Sequence, residues 1–85
     1  MGNVAISIRI MPKSPEVDIN KIISAVKSKV PVQDSRVEPL AFGLKCIKIL
    51  IVVPDKQGGD TDKFENIIKE IDGVETVETE NVTLV

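Results

Sequence analysis

Histidine is absent from the sequence, and cysteine occurs once, as Cys46. Without histidine there is no imidazole to carry protons near neutral pH, and neither a Ser–His nor a Cys–His nucleophile can form. A lone cysteine forms neither a disulfide framework within the chain nor a Cys-x-x-Cys metal or redox site. The residue types therefore exclude the common hydrolytic and redox centres, and we expect a protein that is not an enzyme.

Aromatic residues are nearly absent, with no tryptophan, no tyrosine and two phenylalanines among 85 residues. RNA-recognition domains with the topology predicted below stack bases on aromatic side chains of their central strands, and the central strands predicted for this chain contain no aromatic residue. The formal net charge of -2 also argues against binding to nucleic acid or to an anionic membrane. No apolar run approaches the ~18 residues of a membrane span, and no secretory signal opens the chain, so we expect a cytoplasmic protein.

Motifs for phosphate and metal binding are also missing. Gly58-Gly59 is not followed by the Lys-Ser/Thr pair of a phosphate-binding loop. Asp72, Glu75, Glu78 and Glu80 could gather a cation, but their spacing matches no calcium loop, and solvated side chains are the simpler interpretation. We therefore expect no cofactor and no bound metal.

Apolar periodicity predicts four strands and two helices. Val4, Ile6, Ile8 and Ile10 recur with the period of two of a half-buried strand. A helix with Asp18 as N-cap is predicted next, then a short edge strand at 35–38, a long strand at 44–53, a second helix capped by Asp60 or Thr61, and a last strand from about 74 to 84. Pro54 to Asp60 are expected to form a loop, Gly73 to be the C′ residue of the second helix, and the last strand to carry a bulge near residues 79–81.

The order β-α-β-β-α-β predicts an α+β, ferredoxin-like fold in which two helices cover one face of a four-stranded antiparallel sheet. Although that sheet is antiparallel, we expect the first and third strands to lie side by side and parallel at its centre. Residues 1–85 are taken as one domain. The predicted core consists of Ile6, Ile8, Ile19, Ile22, Ile23, Val26, Ile47, Ile49, Ile51, Phe64, Ile67, Ile68 and Ile71.

The segment 38–53 is the most informative part of the chain. It begins with Pro39-Leu40-Ala41-Phe42-Gly43 and continues without a helix or strand breaker into the longest apolar, β-branched run. Two interpretations of Phe42 stay open: it packs under the edge of the core, which the residues alone favour, or it is held out on a tight turn as an anchor for a partner.

Two surface features also suggest a partner. Residues 1–48 carry eight Lys and Arg against four Asp and Glu, whereas residues 49–85 carry three against nine. Such polarity can orient a small domain on a partner, although solvated faces that differ by chance explain it equally well. The uncovered face of the sheet is predicted to show Ser7, Arg9, Cys46, Lys48, Leu50 and Val52, and its two aliphatic residues make it a candidate contact surface.

Four segments together resemble the archaeal translation elongation factor 1-beta family: Met1-Gly2-x-Val4, Met11-Pro12-x-Ser14-Pro15-x-x-Asp18, Pro39-Leu40-Ala41-Phe42-Gly43-Leu44, and Val52-Val53 with Gly58-Gly59. The resemblance covers essentially the whole chain and extends to the C-terminal domain of the eukaryotic factor. It implies guanine-nucleotide exchange on elongation factor 1-alpha, the GTPase that delivers aminoacyl-tRNA to the ribosome. It also implies that Phe42 is pressed into this GTPase, that Pro39, Leu40, Ala41 and Gly43 hold the turn, and that Lys45 is a flanking contact.

One position departs from the eukaryotic pattern. The eukaryotic domain ends with a penultimate lysine that reaches the magnesium site of the GTPase, and this chain has Leu84 there. We expect either that Phe42 contributes more to the distortion of the GTPase or that Lys45 or Lys48 takes the role of the missing lysine. We further expect a monomer when free, with no direct contact to nucleic acid or membrane. The alternative function is a ferredoxin-like small-ligand-sensing or assembly module without a GTPase partner.

Overall fold

A computed structural model describes residues 2–54 and 61–84, without the side chains of Phe42 and Thr61. Within these ranges the order of elements is the predicted β-α-β-β-α-β. The elements are β1 (Asn3–Pro12), α1 (Ile19–Lys29), β2 (Val32–Pro39), a 3₁₀ turn (Ala41–Gly43), β3 (Lys45–Pro54), α2 (Thr61–Lys69) and β4 (Val74–Leu84). Of the loop predicted at Pro54 to Asp60, Pro54 is instead the last residue of β3, and residues 55–60, with the candidate cap Asp60, lie outside the described residues. The other candidate cap, Thr61, is the first residue of α2 rather than its N-cap.

The four strands form one antiparallel sheet in the order β2-β3-β1-β4. β1 and β3 occupy its centre as predicted, but they run antiparallel, so the expectation of a parallel central pair is wrong. The reason lies in the connections. β2 and β3 are joined by a short turn and must be antiparallel, whereas the crossover through α1 makes β1 parallel to β2 and leaves β3 between them. The fold is therefore the ferredoxin-like α+β arrangement.

One face of the sheet and both helices share a single hydrophobic core. Ile6 and Ile8 of β1 and Ile47 and Ile51 of β3 are completely buried. The helices contribute the buried side chains Ile22, Val26, Phe64 and Ile68. The predicted core is confirmed in outline, with Ile19, Ile23 and Ile67 half-buried against it, and it extends to Val4, Ile10, Val30, Val53, Val74 and Val77. Both helices therefore lie on the same face of the sheet.

The helix ends follow from a few polar residues. The Asp18 carboxylate accepts a hydrogen bond of 3.0 Å from the backbone N–H of Asn20, which confirms the predicted N-cap of α1. The second helix ends at Lys69, so Gly73 is not its C′ residue. With a φ of +93°, Gly73 instead forms the turn that leads from α2 into β4.

The two outer strands are irregular. The edge strand β2 begins at Val32, three residues earlier than the sequence predicts. In β4 the pairing slips between Thr79, opposite Ile8, and Asn81, opposite Ser7, which leaves Glu80 as the extra residue. The predicted bulge is therefore confirmed, and it explains the change of apolar phase along β4.

Candidate functional site

The predicted partner-binding residues form the connection between β2 and β3. Pro39 and Lys45 are the last paired residues of the two strands. Inside this pair the Leu40 N–H donates to the Leu44 carbonyl over 2.7 Å, and the Leu44 N–H donates to the Ala41 carbonyl over 3.3 Å. These bonds close a compact turn on the sheet.

Glycine is required at one position of this turn. Gly43 has a φ of +76°, in the left-handed region that side chains rarely adopt. Apart from its two chain neighbours, no atom of the described residues lies within 4 Å of a Cβ built on Gly43. The backbone conformation, rather than a lack of space among the described residues, therefore explains why glycine occurs at this position.

The turn lies on the surface. Pro39, Leu40, Ala41, Gly43 and Lys45 are all exposed, and Leu40 keeps 39% of its area accessible to solvent. Several apolar residues thus stand together on a turn that a partner can reach. The backbone of Phe42 lies at the centre of the 3₁₀ turn, whereas its side chain is outside the description, so its role as an anchor stays a prediction.

A cleft of about 310 Å³ separates this turn from the loop between β1 and α1. Gly43 and Lys45 lie on one side. The other side is formed by Pro12, Ser14, Pro15, Val17, Asp18, Ile19 and Asn20. The sequence predicts Asp18 as a helix cap and Ile19 as a core residue, but it predicts no binding role for this second group, because nothing in it indicates that the two segments meet. Its only signal is the Pro-x-Ser-Pro motif itself.

The loop that borders the cleft is fixed by backbone hydrogen bonds. The Lys13 N–H donates to the Gly73 carbonyl over 2.8 Å, and the Val17 N–H donates to the Ser14 carbonyl over 3.2 Å. Asp18 then caps α1. The cleft is therefore bounded by segments that are hydrogen-bonded to the rest of the fold.

The two lysines considered in place of the eukaryotic penultimate lysine have different surroundings. Lys48 lies on the uncovered face of the sheet, where its Nζ is 3.5 Å from a Glu38 oxygen and 3.7 Å from a Glu80 oxygen. Lys45 is exposed beside the turn, and no acidic group of the described residues lies within 4.0 Å of its ammonium. Lys45 is therefore the cation that lies next to the candidate site.

The uncovered face of the sheet carries the residues predicted for it, but its apolar residues are less exposed than expected. Leu50 and Val52 are half-buried, and Cys46 is 1% exposed, so this face shows less apolar surface than expected. Arg9 and Glu78 form an ion pair of 2.6 Å across β1 and β4. The hydrogen bond to the Glu78 carboxylate, together with its charge, raises the pKa of the Arg9 guanidinium, which stays charged at ordinary pH.

The described residues show neither a metal-binding cluster nor a membrane-spanning helix. Among residues 2–54 and 61–84, no three Cys, Asp or Glu side chains are grouped closely enough to hold a metal ion, and Asp72, Glu75, Glu78 and Glu80 are not brought together as ligands. Neither helix within these ranges has the length and apolar character that crossing a bilayer requires.

Comparisons with known proteins agree with the fold and with the resemblance seen in the sequence. The model of the EF-1 guanine nucleotide exchange domain matches residues 5–85. Elongation factor 1-beta of Methanospirillum hungatei is 49% identical over the whole of both chains, and that of Methanosphaerula palustris is 46% identical over 99% of both. Elongation factor 1-beta of Archaeoglobus fulgidus is 40% identical over 99% of both.

A search of solved structures adds evidence on the fold alone. The ACT domain from the GTP pyrophosphokinase of Chlorobium tepidum superposes with a TM-score of 0.64 at 20% identity, covering 92% of this chain and 99% of that one. The family match and the whole-length archaeal relatives settle the classification. The chain belongs to the elongation factor 1-beta family of guanine-nucleotide exchange domains.

Proposed function

We propose that this protein promotes GDP release and GTP reloading on elongation factor 1-alpha during translation elongation. The observation that carries the proposal is the match of an exchange domain to residues 5–85. Whole-length relatives named elongation factor 1-beta support the same role. The exposed residues Pro39, Leu40, Ala41, Gly43 and Lys45 of the turn supply a surface with which such a partner can be bound.

The proposed mechanism is a thermodynamic linkage. The exchange factor binds a GTPase conformation that makes poor contacts to magnesium and phosphate, and it thereby lowers the affinity of the GTPase for GDP. Bound GDP lowers the affinity of the GTPase for the exchange factor by the same ratio. Free GTP then occupies the emptied site. No covalent bond is made or broken in this cycle, so the exchange factor requires neither a nucleophile nor a general base.

In this proposal the turn is the binding element. Phe42 is the anchor that enters the GTPase, because interface energy is concentrated in a few residues among which aromatic ones are common. Pro39, Leu40, Ala41 and Gly43 hold the turn, and Lys45 is the flanking cation. The hydrogen bonds from Leu40 to Leu44 and from Leu44 to Ala41 support this, since a preformed turn loses little conformational entropy on binding.

The proposal includes the state of the free protein. Residues 1–85 act as one exchange domain, which the shared core of sheet and helices supports. The protein is monomeric when free, acts in the cytoplasm where elongation takes place, and contacts elongation factor 1-alpha rather than nucleic acid.

The test is the release of fluorescent GDP from purified elongation factor 1-alpha in the presence of excess unlabelled GTP. We expect substoichiometric amounts of this protein to accelerate release. A release rate that does not change at any concentration of the protein contradicts the proposal. A pull-down from cytosol distinguishes the alternative assembly module, because recovery of a GTPase of elongation-factor size supports exchange, whereas self-association alone supports the module.

A further inference from the structure

The exchange proposal assigns a role to the turn but none to the cleft beside it. Its far side is the loop 12–18, which the family resemblance marks but to which it gives no role. Gly43 and Lys45 line the cleft as well, so the proposed binding turn and this loop are walls of one concave surface.

The size of protein interfaces indicates that the contact extends beyond the turn. A stable, specific interface buries about 800 Å² on each partner and involves roughly 20–30 residues a side. Residues 39–45 form a single tight turn and supply only a part of that area. A GTPase that rests on Gly43 and Lys45 therefore also lies over neighbouring surface, and the cleft is the concave surface that these two residues share.

The chemistry of the cleft suits a protein side chain. Pro15, Val17 and Ile19 supply apolar surface. Polar groups at the same site come from Ser14, Asn20 and Lys45 and from Asp18, one oxygen of which accepts the capping hydrogen bond of α1. Val17 and Ile19 are half-buried against the core, so the apolar part is held by the fold. A volume of about 310 Å³ is at the lower limit of small-molecule pockets, which is about 300 Å³, and is sufficient for one or two side chains.

We propose that the cleft between the loop 12–18 and the turn 39–45 receives an apolar side chain of elongation factor 1-alpha and forms the second half of the GTPase interface. This inference rests on the proposed function and extends it. The hydrogen bonds from Lys13 to Gly73 and from Val17 to Ser14 hold the receiving loop before the partner arrives. The turn and the cleft together bind the GTPase at two points, which fixes the orientation of the factor on it.

Two matched substitutions on α1 test the cleft. Asn20 is exposed and lines the cleft, and only its backbone N–H is used by the Asp18 cap, so Asn20→Phe fills the cleft without removing the cap. Ser28 is exposed on the same helix two turns away and does not line the cleft, so Ser28→Phe is the control. We expect Asn20→Phe to weaken binding to elongation factor 1-alpha by about 10-fold or more, as overpacking does, and Ser28→Phe to leave it unchanged.

A thiol protection experiment reports contact without depending on exchange activity. Cys46 is buried, so a cysteine introduced at the surface is the reactive thiol among the described residues. We expect elongation factor 1-alpha to slow the alkylation of Asn20→Cys by about 10-fold or more, as burial in an interface does. Alkylation of Ser28→Cys is expected not to change.

The outcomes separate the two proposals. If the unmodified protein does not accelerate GDP release, the exchange proposal fails, and the cleft proposal fails with it. If the unmodified protein is active but Asn20→Phe binds the GTPase normally and Asn20→Cys is not protected, the cleft proposal alone is overturned. Protection of Asn20→Cys by a second copy of the chain, in the absence of the GTPase, also overturns it.

Discussion

Gly73 and Val17 are packed so closely that a Cβ built on Gly73 would lie 2.8 Å from Val17 Cγ1. Gly73 belongs to the turn before β4, and Val17 belongs to the loop after β1. The Lys13 N–H also donates to the Gly73 carbonyl over 2.8 Å. The turn after α2 thus supports the loop that forms one wall of the cleft.

Gly73→Ala is therefore expected to destabilise the protein more than Gly43→Ala. Both glycines have a positive φ, which costs an alanine about 1–2 kcal/mol. Only at Gly73 does the new methyl group also displace a stiff side chain, at a further cost of about 1–3 kcal/mol. Chemical denaturation of both variants checks this, and equal losses of unfolding free energy would show that the contact with Val17 is unimportant.

Ile49→Ala tests the central position of β3. Ile49 is 2% exposed and belongs to the core, so its truncation is expected to cost about 2–5 kcal/mol of unfolding free energy. Val52→Ala on the opposite, half-buried face of the same strand is the control and is expected to cost about 1 kcal/mol. A loss below about 0.5 kcal/mol for Ile49→Ala, measured by chemical denaturation, is incompatible with this core.

Lys45 and Lys48 are expected to differ in their effect on exchange. Lys45 lies beside the turn, and Lys48 is placed between the carboxylates of Glu38 and Glu80. We expect Lys45→Gln to slow GDP release by roughly 10-fold, the effect of one interface contact, and Lys48→Gln to stay within roughly twofold. The reverse order of the two variants would place the contributing cation on the uncovered face of the sheet.

Ionic strength is expected to act on association rather than on dissociation. The first half of the chain is basic and the second half is acidic, and if this asymmetry orients docking, it speeds the encounter with a charged partner. Stopped-flow mixing with elongation factor 1-alpha should show an association rate that falls as salt is raised, with a nearly constant dissociation rate. If the association rate is the same at low and high salt, the charge distribution has no part in docking.

Much of the fold follows from local patterns. The period of two in Val4, Ile6, Ile8 and Ile10 predicts β1 because alternate residues of a strand share a face. Asp18 precedes an apolar stripe and therefore predicts the start of α1. The change of phase between Val77 and Val82 predicts the bulge at Glu80. Each signal lies within a few residues of the feature that it predicts.

The features that the sequence did not predict depend on contacts between distant segments. The antiparallel pairing of β1 and β3 follows from the topology of the whole sheet rather than from either strand. The sequence predicts Gly73 at the end of α2, since no residue near it in the chain indicates its close approach to Val17, 56 positions away. The cleft likewise needs the loop 12–18 and the turn 39–45 to be placed side by side. The residues Pro-x-Ala-Phe-Gly predict the turn itself, whereas its role in binding a partner is implied by the resemblance to the family.

The unfolding free energy of Phe42→Ala shows whether Phe42 is an interface anchor or a core residue. As an anchor, Phe42→Ala is expected to change the unfolding free energy by no more than about 0.5 kcal/mol, as surface substitutions do. As a core residue, it would cost about 3–5 kcal/mol. Phe64, which is buried in the core, provides the reference, and Phe64→Ala is expected to show the larger loss.

The most direct measurement is the rate of fluorescent GDP release from elongation factor 1-alpha, compared per folded molecule for the unmodified protein and Phe42→Ala. We expect the unmodified protein to accelerate release and Phe42→Ala to be slower by about 30-fold or more, because a hot-spot aromatic contributes roughly 2 kcal/mol or above. A Phe42→Ala variant that is destabilised but exchanges nucleotide normally per folded molecule would contradict the account and remove Phe42 from the site.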